Sequence, residues 1–192
     1  MRKALVFFAL VALAQWAVPL WTIATKEQVR SEGEAFLFKL QPVDPTDPFR
    51  GEYVVLRYEE ETRDVPQTNG PNTVGEQVYA AFNTSGYAVE ITEVRFEPPT
   101  DGQPYVTCTV DNSPFMDSAL VRVDLPFDRY YLQEGDGAIV EELMRRSNGG
   151  IVPEAYAVVR LLNGDGVIED LLIDGRSVGD LIREYRDTLR TP

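Results

Sequence analysis

Carboxylates are the only abundant side chains here that could move protons at neutral pH. The 192 residues include 31 Asp and Glu against 18 Lys and Arg, no histidine, and one cysteine, Cys108. Without histidine there is no imidazole base, no Ser-His-Asp or Cys-His arrangement and no ordinary zinc site. A single cysteine forms no intrachain disulfide. Cys108 lies in Tyr105-Val106-Thr107-Cys108-Thr109-Val110, a strand composition, and reads as a small buried hydrophobe rather than a reactive thiol. The formal net charge of −13 argues against a nucleic-acid partner, because phosphate binding needs a basic surface. Catalysis would therefore have to use paired acids, as in glycoside hydrolysis, or acids holding a divalent cation. Glu52, Asp128 and Glu134 are the acids whose surroundings single them out.

Two loop motifs fail on inspection. Asn163-Gly164-Asp165-Gly166-Val167-Ile168-Glu169 has the early spacing of a calcium loop. However, Ile168 stands where glycine is needed and Asp174 where the closing Glu belongs. Gly135-Asp136-Gly137 has the glycines of a phosphate loop but no lysine, and its acid would repel a phosphate. The sequence thus implies no cofactor and no metal.

The elements that would position any site are organised around residues 42–58. Pro42, Pro45 and Pro48, with Asp44 and Asp47 between them, stop helix and central strand alike and read as turns. Gly51 allows backbone geometry closed to other residues. Glu52-Tyr53-Val54-Val55-Leu56-Arg57-Tyr58 has a strand composition, and Ala35-Phe36-Leu37-Phe38-Lys39-Leu40 is an apolar run before it. The simplest expectation is a hairpin of these two strands. Period two places Glu52, Val54, Leu56 and Tyr58 on one face and Tyr53, Val55 and Arg57 on the other.

Gly51, Tyr53, Leu56 and Tyr58 resemble the signature of the GDYXXLXY family of membrane-anchored bacterial proteins, with Glu52 in place of its Asp. Pro42-Val43-Asp44-Pro45, Phe49-Arg50 and Asp128-Arg129-Tyr130-Tyr131 with Glu134-Gly135 extend the resemblance. It implies an anchored extracytoplasmic domain and no established activity. The motif residues Arg50, Gly51, Glu52, Tyr53, Leu56 and Tyr58, with Asp128, Arg129 and Tyr130, become the candidate binding site. Arg50-Gly51-Glu52-Tyr53 also faintly resembles the Arg-Gly-Asp strand of membrane signal peptidases. Ser31 could stand for their serine, but the last lysine is Lys39, before the motif, and arginine is no base.

The N-terminus reads as a signal-anchor. Residues 4–21, from Ala4 to Trp21, are apolar apart from Gln15, follow Arg2 and Lys3, and carry Trp16 and Trp21 in their second half. Such a helix spans about 27 Å, near the lower limit for a bilayer core. Cleavage after Ala12-Leu13-Ala14 would leave an unusually short leader. The expected organisation is a transmembrane helix over 1–24, a polar stalk over 25–34 and an extracytoplasmic domain over 35–192. Arg2 and Lys3 are matched by Lys26 and Arg30, so the domain's position outside rests on the signal-like start.

Along the domain, residues 59–75 hold few apolar groups and read as a long exposed loop. Residues 77–82 and 87–96 flank Asn83-Thr84-Ser85-Gly86 as a hairpin. Residues 105–110 and 119–125 are further strands. Residues 137–147 have the spacing of a helix stopped by Asn148-Gly149-Gly150. Residues 155–162 and 167–173 flank a second hairpin turn, and residues 178–189 close the chain as an amphipathic helix. The fold class is α+β: an N-terminal transmembrane helix, then a mainly antiparallel sheet domain of seven or eight strands with one inserted helix and a C-terminal helix. The expected function is a non-catalytic module docking on a membrane-protein partner, with the carboxylate or divalent-cation enzyme as the alternative.

Overall fold

The computed structural model describes residues 2–41, 53–68, 73–84, 86–112, 120–145 and 154–190. It is α+β, with mostly antiparallel sheets and three helices among the described residues. Helix α1 runs over Arg2–Glu32 with Pro19 inside it. Phe7, Phe8, Leu13, Trp16, Val18, Leu20, Trp21 and Ile23 are all exposed on it. Among the described residues no helix is long and apolar enough to cross a membrane, so the span expected over residues 4–21 does not stand as a structural finding.

Residues 25–32 of the expected stalk continue α1. The last turns of α1 pack on the sheet formed by β9 (Ala155–Leu162) and β10 (Asp165–Ile173), with Val29 2% exposed. Lys26 Nζ lies 3.6 Å from Asp165, and Arg160 donates to the Gly33 carbonyl at 2.9 Å. Gly33 is required at this exit. A Cβ there would lie 2.3 Å from the Val29 carbonyl oxygen and 3.0 Å from that of Leu161, both backbone atoms.

Three β assemblies share one core. Strands β1 (Glu34–Lys39), β9, β10 and β11 (Arg176–Ser177) form a four-stranded sheet in that order. β2 (Tyr53–Val55) pairs with β8 (Arg129–Tyr131) as a two-stranded ribbon. β3 (Val65–Thr68), β5 (Glu90–Arg95), β4 (Gln77–Asn83), β6 (Tyr105–Asn112) and β7 (Leu120–Asp124) close a five-stranded barrel. β3 runs parallel to β5, and all other pairs are antiparallel. Helices α2 (Asp136–Arg145) and α3 (Val178–Arg190) pack on each other, and Arg186 pairs with the buried Asp136.

Several expectations hold. The hairpins β4–β5 and β9–β10, strands β6 and β7 and both domain helices lie where the sequence put them. Asn163 and Gly164 take φ of 52° and 83°, the geometry a two-residue hairpin turn needs. Others fail. The described residues contain eleven strands rather than seven or eight. The hairpin expected between residues 35–40 and 52–58 reduces to one bridge, Leu40 to Tyr58. β1 pairs instead with β9 along its whole length, six residues, and β2 pairs with β8. The loop expected over 59–75 holds a 3-10 turn (Glu59–Thr62) and barrel strand β3. Glu60, only 5% exposed, accepts from the Ile91 N–H at 2.8 Å and from Arg63 at 2.9 Å, so a residue that reads as solvated is a structural acid.

Where the assemblies meet, aromatic rings interlock. Phe38 of β1 stands 5.2 Å from Phe127, 5.9 Å from Tyr58 and 6.0 Å from Phe82, measured between ring centres. All three contacts are edge-on, the arrangement the ring quadrupoles favour. Phe38, Tyr58 and Phe82 are wholly buried.

Candidate functional site

The signature strand has two faces with different work. Val54, Leu56 and Tyr58 point inward, at 0%, 4% and 0% exposure, as period two predicts. The Tyr58 hydroxyl donates to the Phe127 carbonyl at 2.8 Å, and its amide donates to Glu61 at 2.9 Å. Burial, then the charges of Glu61 and Asp128, hold this phenol far above its ordinary range. Tyr58 is therefore a neutral, fully satisfied core residue and no acid–base group.

The outward face is built by cross-strand register. Tyr53 stands opposite Tyr131 and Val55 opposite Arg129, while Val54 faces Tyr130 on the inner side. The rings of Tyr53 and Tyr131 are 5.8 Å apart, and the Arg129 guanidinium carbon lies 5.2 Å from the Tyr53 ring centre. Tyr131 is 69% and Val55 50% exposed. Exposed large apolar groups are worth notice when they cluster, as Val55 and Tyr131 do on this face.

The structure brings Tyr53, Leu56 and Tyr58 together with Asp128, Arg129 and Tyr130, two stretches distant in sequence. The Leu56 amide donates to the Asp128 carbonyl at 2.7 Å. Arg50, Gly51 and Glu52 lie outside the described residues. Tyr130 belongs to the inner side, half-buried against the core, and burial followed by the charge of Asp170 raises its phenol. Tyr131, absent from the sequence-based set, is the exposed ring. Alternation in Arg129-Tyr130-Tyr131 would have found it, because Arg129 and Tyr131 must share a face.

Beside the ribbon lies a cleft of about 360 Å³, lined by Gln41, Val55, Leu56, Arg57, Glu61, Thr62, Asp111, Val123, Asp124 and Asp128. Four of these are acids and Arg57 is the one cation. Glu61 accepts from the Tyr58 and Leu125 amides at 2.9 and 3.1 Å, which fixes it to the backbone. Its carboxyl is raised, by burial first and then by Asp124 and Asp111, against the lowering effect of those two amides. Asp124 is raised by burial, then by Asp111 and Asp128. Glu134 is exposed and does not line the cleft, so the trio of Glu52, Asp128 and Glu134 is not assembled among the described residues. Also among them, no group of three or more acidic or sulfur side chains is arranged to hold a metal ion. Cys108 is buried, and burial pushes its thiol up to about 12.

An α+β domain bearing this two-faced tyrosine strand is the class the geometry defines. The chain belongs to the GDYXXLXY protein family, whose sequence profile matches residues 15–171. No curated protein and no solved structure matches it.

Proposed function

We propose that the chain is a membrane-anchored binding or assembly module, its domain on the extracytoplasmic side, docking on a membrane-protein partner through the outer face of the β2–β8 ribbon. The observation that carries the docking is the cluster of exposed Val55, Arg129 and Tyr131 around a half-buried Tyr53, on the face opposite the buried Tyr58. The fold needs Tyr58 and Leu56 in its core, whereas Val55 and Tyr131 stand half or more exposed. The anchor is supported by the exposed apolar side chains all round α1, since a helix apolar on every side needs cover. The described side chains alone fall short of a span; with the sequence from Ala4 the apolar run reaches about 27 Å. Crosslinking the full-length protein in its native membrane tests both. Capture of one multi-spanning protein, lost on Tyr131→Ala or Arg129→Ala but kept on Glu97→Gln, is the expected result. Capture insensitive to the ribbon variants, or recovery of the protein in the washed soluble fraction, refutes it.

A second reading, an enzyme using carboxylates, draws on the four acids of the cleft and the raised carboxyls of Glu61 and Asp124. Glu61 is committed to two backbone amides, which leaves Asp111, Asp124 and Asp128 for chemistry. Hydrolysis of glycoside and ester substrates that is abolished by Asp124→Asn would establish it; unchanged turnover in that variant would end it.

A further inference from the structure

The ribbon face and the cleft are one continuous surface, because Val55 belongs to both. Their chemistries differ: rings and an aliphatic group on one side, carboxylates on the other. Among the described residues no cation pairs with Asp111 or Asp124, and Asp128 is matched only by Arg129, at 3.5 Å and half exposed. Arg57 cannot neutralise four acids. The Tyr53 ring already receives one guanidinium, from Arg129, which shows that this face accommodates a cation over an aromatic ring.

We propose that the occupant of this surface is a basic, extended protein segment. Its arginine or lysine side chains enter the cleft among Asp111, Asp124 and Asp128, and its apolar groups cover Tyr53, Val55 and Tyr131. The proposal rests on the docking reading above and adds the charge and shape of what docks. Asp124 is raised by burial first and then by the like charges of Asp111 and Asp128, and a bound cation relieves that repulsion. An acidic or neutral segment would leave Asp111 and Asp124 without the counter-charge they lack among the described residues, so the surface selects by sign.

The test uses the full-length protein in mild detergent and a fluorescent peptide of four Arg-Val repeats, with four Glu-Val and four Ser-Val repeats as comparators. Only the basic peptide is expected to raise the polarisation, more weakly as salt rises. The double variant Asp111→Asn/Asp124→Asn should lose roughly fivefold or more in affinity, from two part-exposed charge pairs. Tyr131→Ala should weaken binding as well. Glu34→Gln/Glu97→Gln removes the same charge from surfaces outside the cleft and should change affinity less than about twofold. Equal loss in the two double variants would mean that net charge alone attracts the peptide, and the proposal falls. It also falls if no peptide binds. Crosslinking separates this failure from that of the docking reading. Capture lost on Tyr131→Ala but kept on Asp111→Asn/Asp124→Asn would retain the docking surface and remove the basic occupant. Capture indifferent to all of these variants would remove both.

Discussion

Tyr58→Phe is the substitution on which the two-faced reading of the signature turns. It deletes one oxygen and keeps the ring that packs on Phe38 and Phe127. The Phe127 carbonyl, which accepts from that hydroxyl at 2.8 Å, is then left without its partner in the core. Leaving such a group unsatisfied costs about 1–3 kcal/mol. In a chain of this length about 2 kcal/mol corresponds to a fall of roughly 4–8 °C in Tm. Tyr58→Ala adds the loss of a buried ring, for a total of about 3–5 kcal/mol. Tyr131→Ala should cost below about 1 kcal/mol, the range for an exposed cross-strand pair. The assay is thermal unfolding of the full-length protein in mild detergent, followed by near-ultraviolet circular dichroism. The reasoning is refuted if Tyr58→Phe leaves Tm within a degree of the parent. It is equally refuted if Tyr131→Ala destabilises as much as Tyr58→Ala, because the outer ring would then be part of the fold.

Further outcomes follow from other sites. Gly33→Ala should cost about 1–3 kcal/mol through overpacking against two backbone carbonyls, and limited proteolysis should show the α1 junction opened. Glu60→Ala should cost about 3 kcal/mol, since it strands the Ile91 amide and one Arg63 contact in a buried place, as a lowered urea midpoint would report. Asp124 and Glu61 have folded-state carboxyls raised above their unfolded values, so the folded state binds more protons across that interval. Their contribution to stability is greatest below the ordinary carboxylate range and falls as pH rises through the raised values. Asp124→Asn should therefore flatten the stability profile as pH rises above the ordinary carboxylate range. Cys108 should resist maleimide at pH 8 in the folded protein and react fully in urea, because its thiol is buried and held near 12.

What the sequence showed clearly was local. Asn163-Gly164 marks a turn by its own backbone preference, and the sequence of α3 displays its stripe of Leu181, Ile182, Tyr185 and Leu189 within a few turns. Alternation along residues 53–58 gave the inner and outer faces correctly. What it hid was held by distant partners. β3 reads as loop because Val65 is the one aliphatic residue in Val65-Pro66-Gln67-Thr68, and its place in the barrel depends on β5 and β7. The ribbon was invisible because adjacency suggested a β1–β2 hairpin, while the register joins Tyr53 to Tyr131. The cleft draws Glu61, Asp111, Asp124 and Asp128 from separate segments, and in so acidic a chain no spacing sets them apart.

The pairing of β1 with β9 bears on how the chain is made. Phe36 and Phe38 leave the ribosome well before their partners, since the register sets Phe36 against Val159 and Phe38 against Ala157. Until that late strand arrives, β1 has an unpaired edge and the end of α1 has no platform, since its seat is β9 and β10. Contacts so distant along the chain are slow to form and leave apolar edges open in the interval. The nascent protein thus passes through a stage in which its apolar helix is complete but its orienting seat is not.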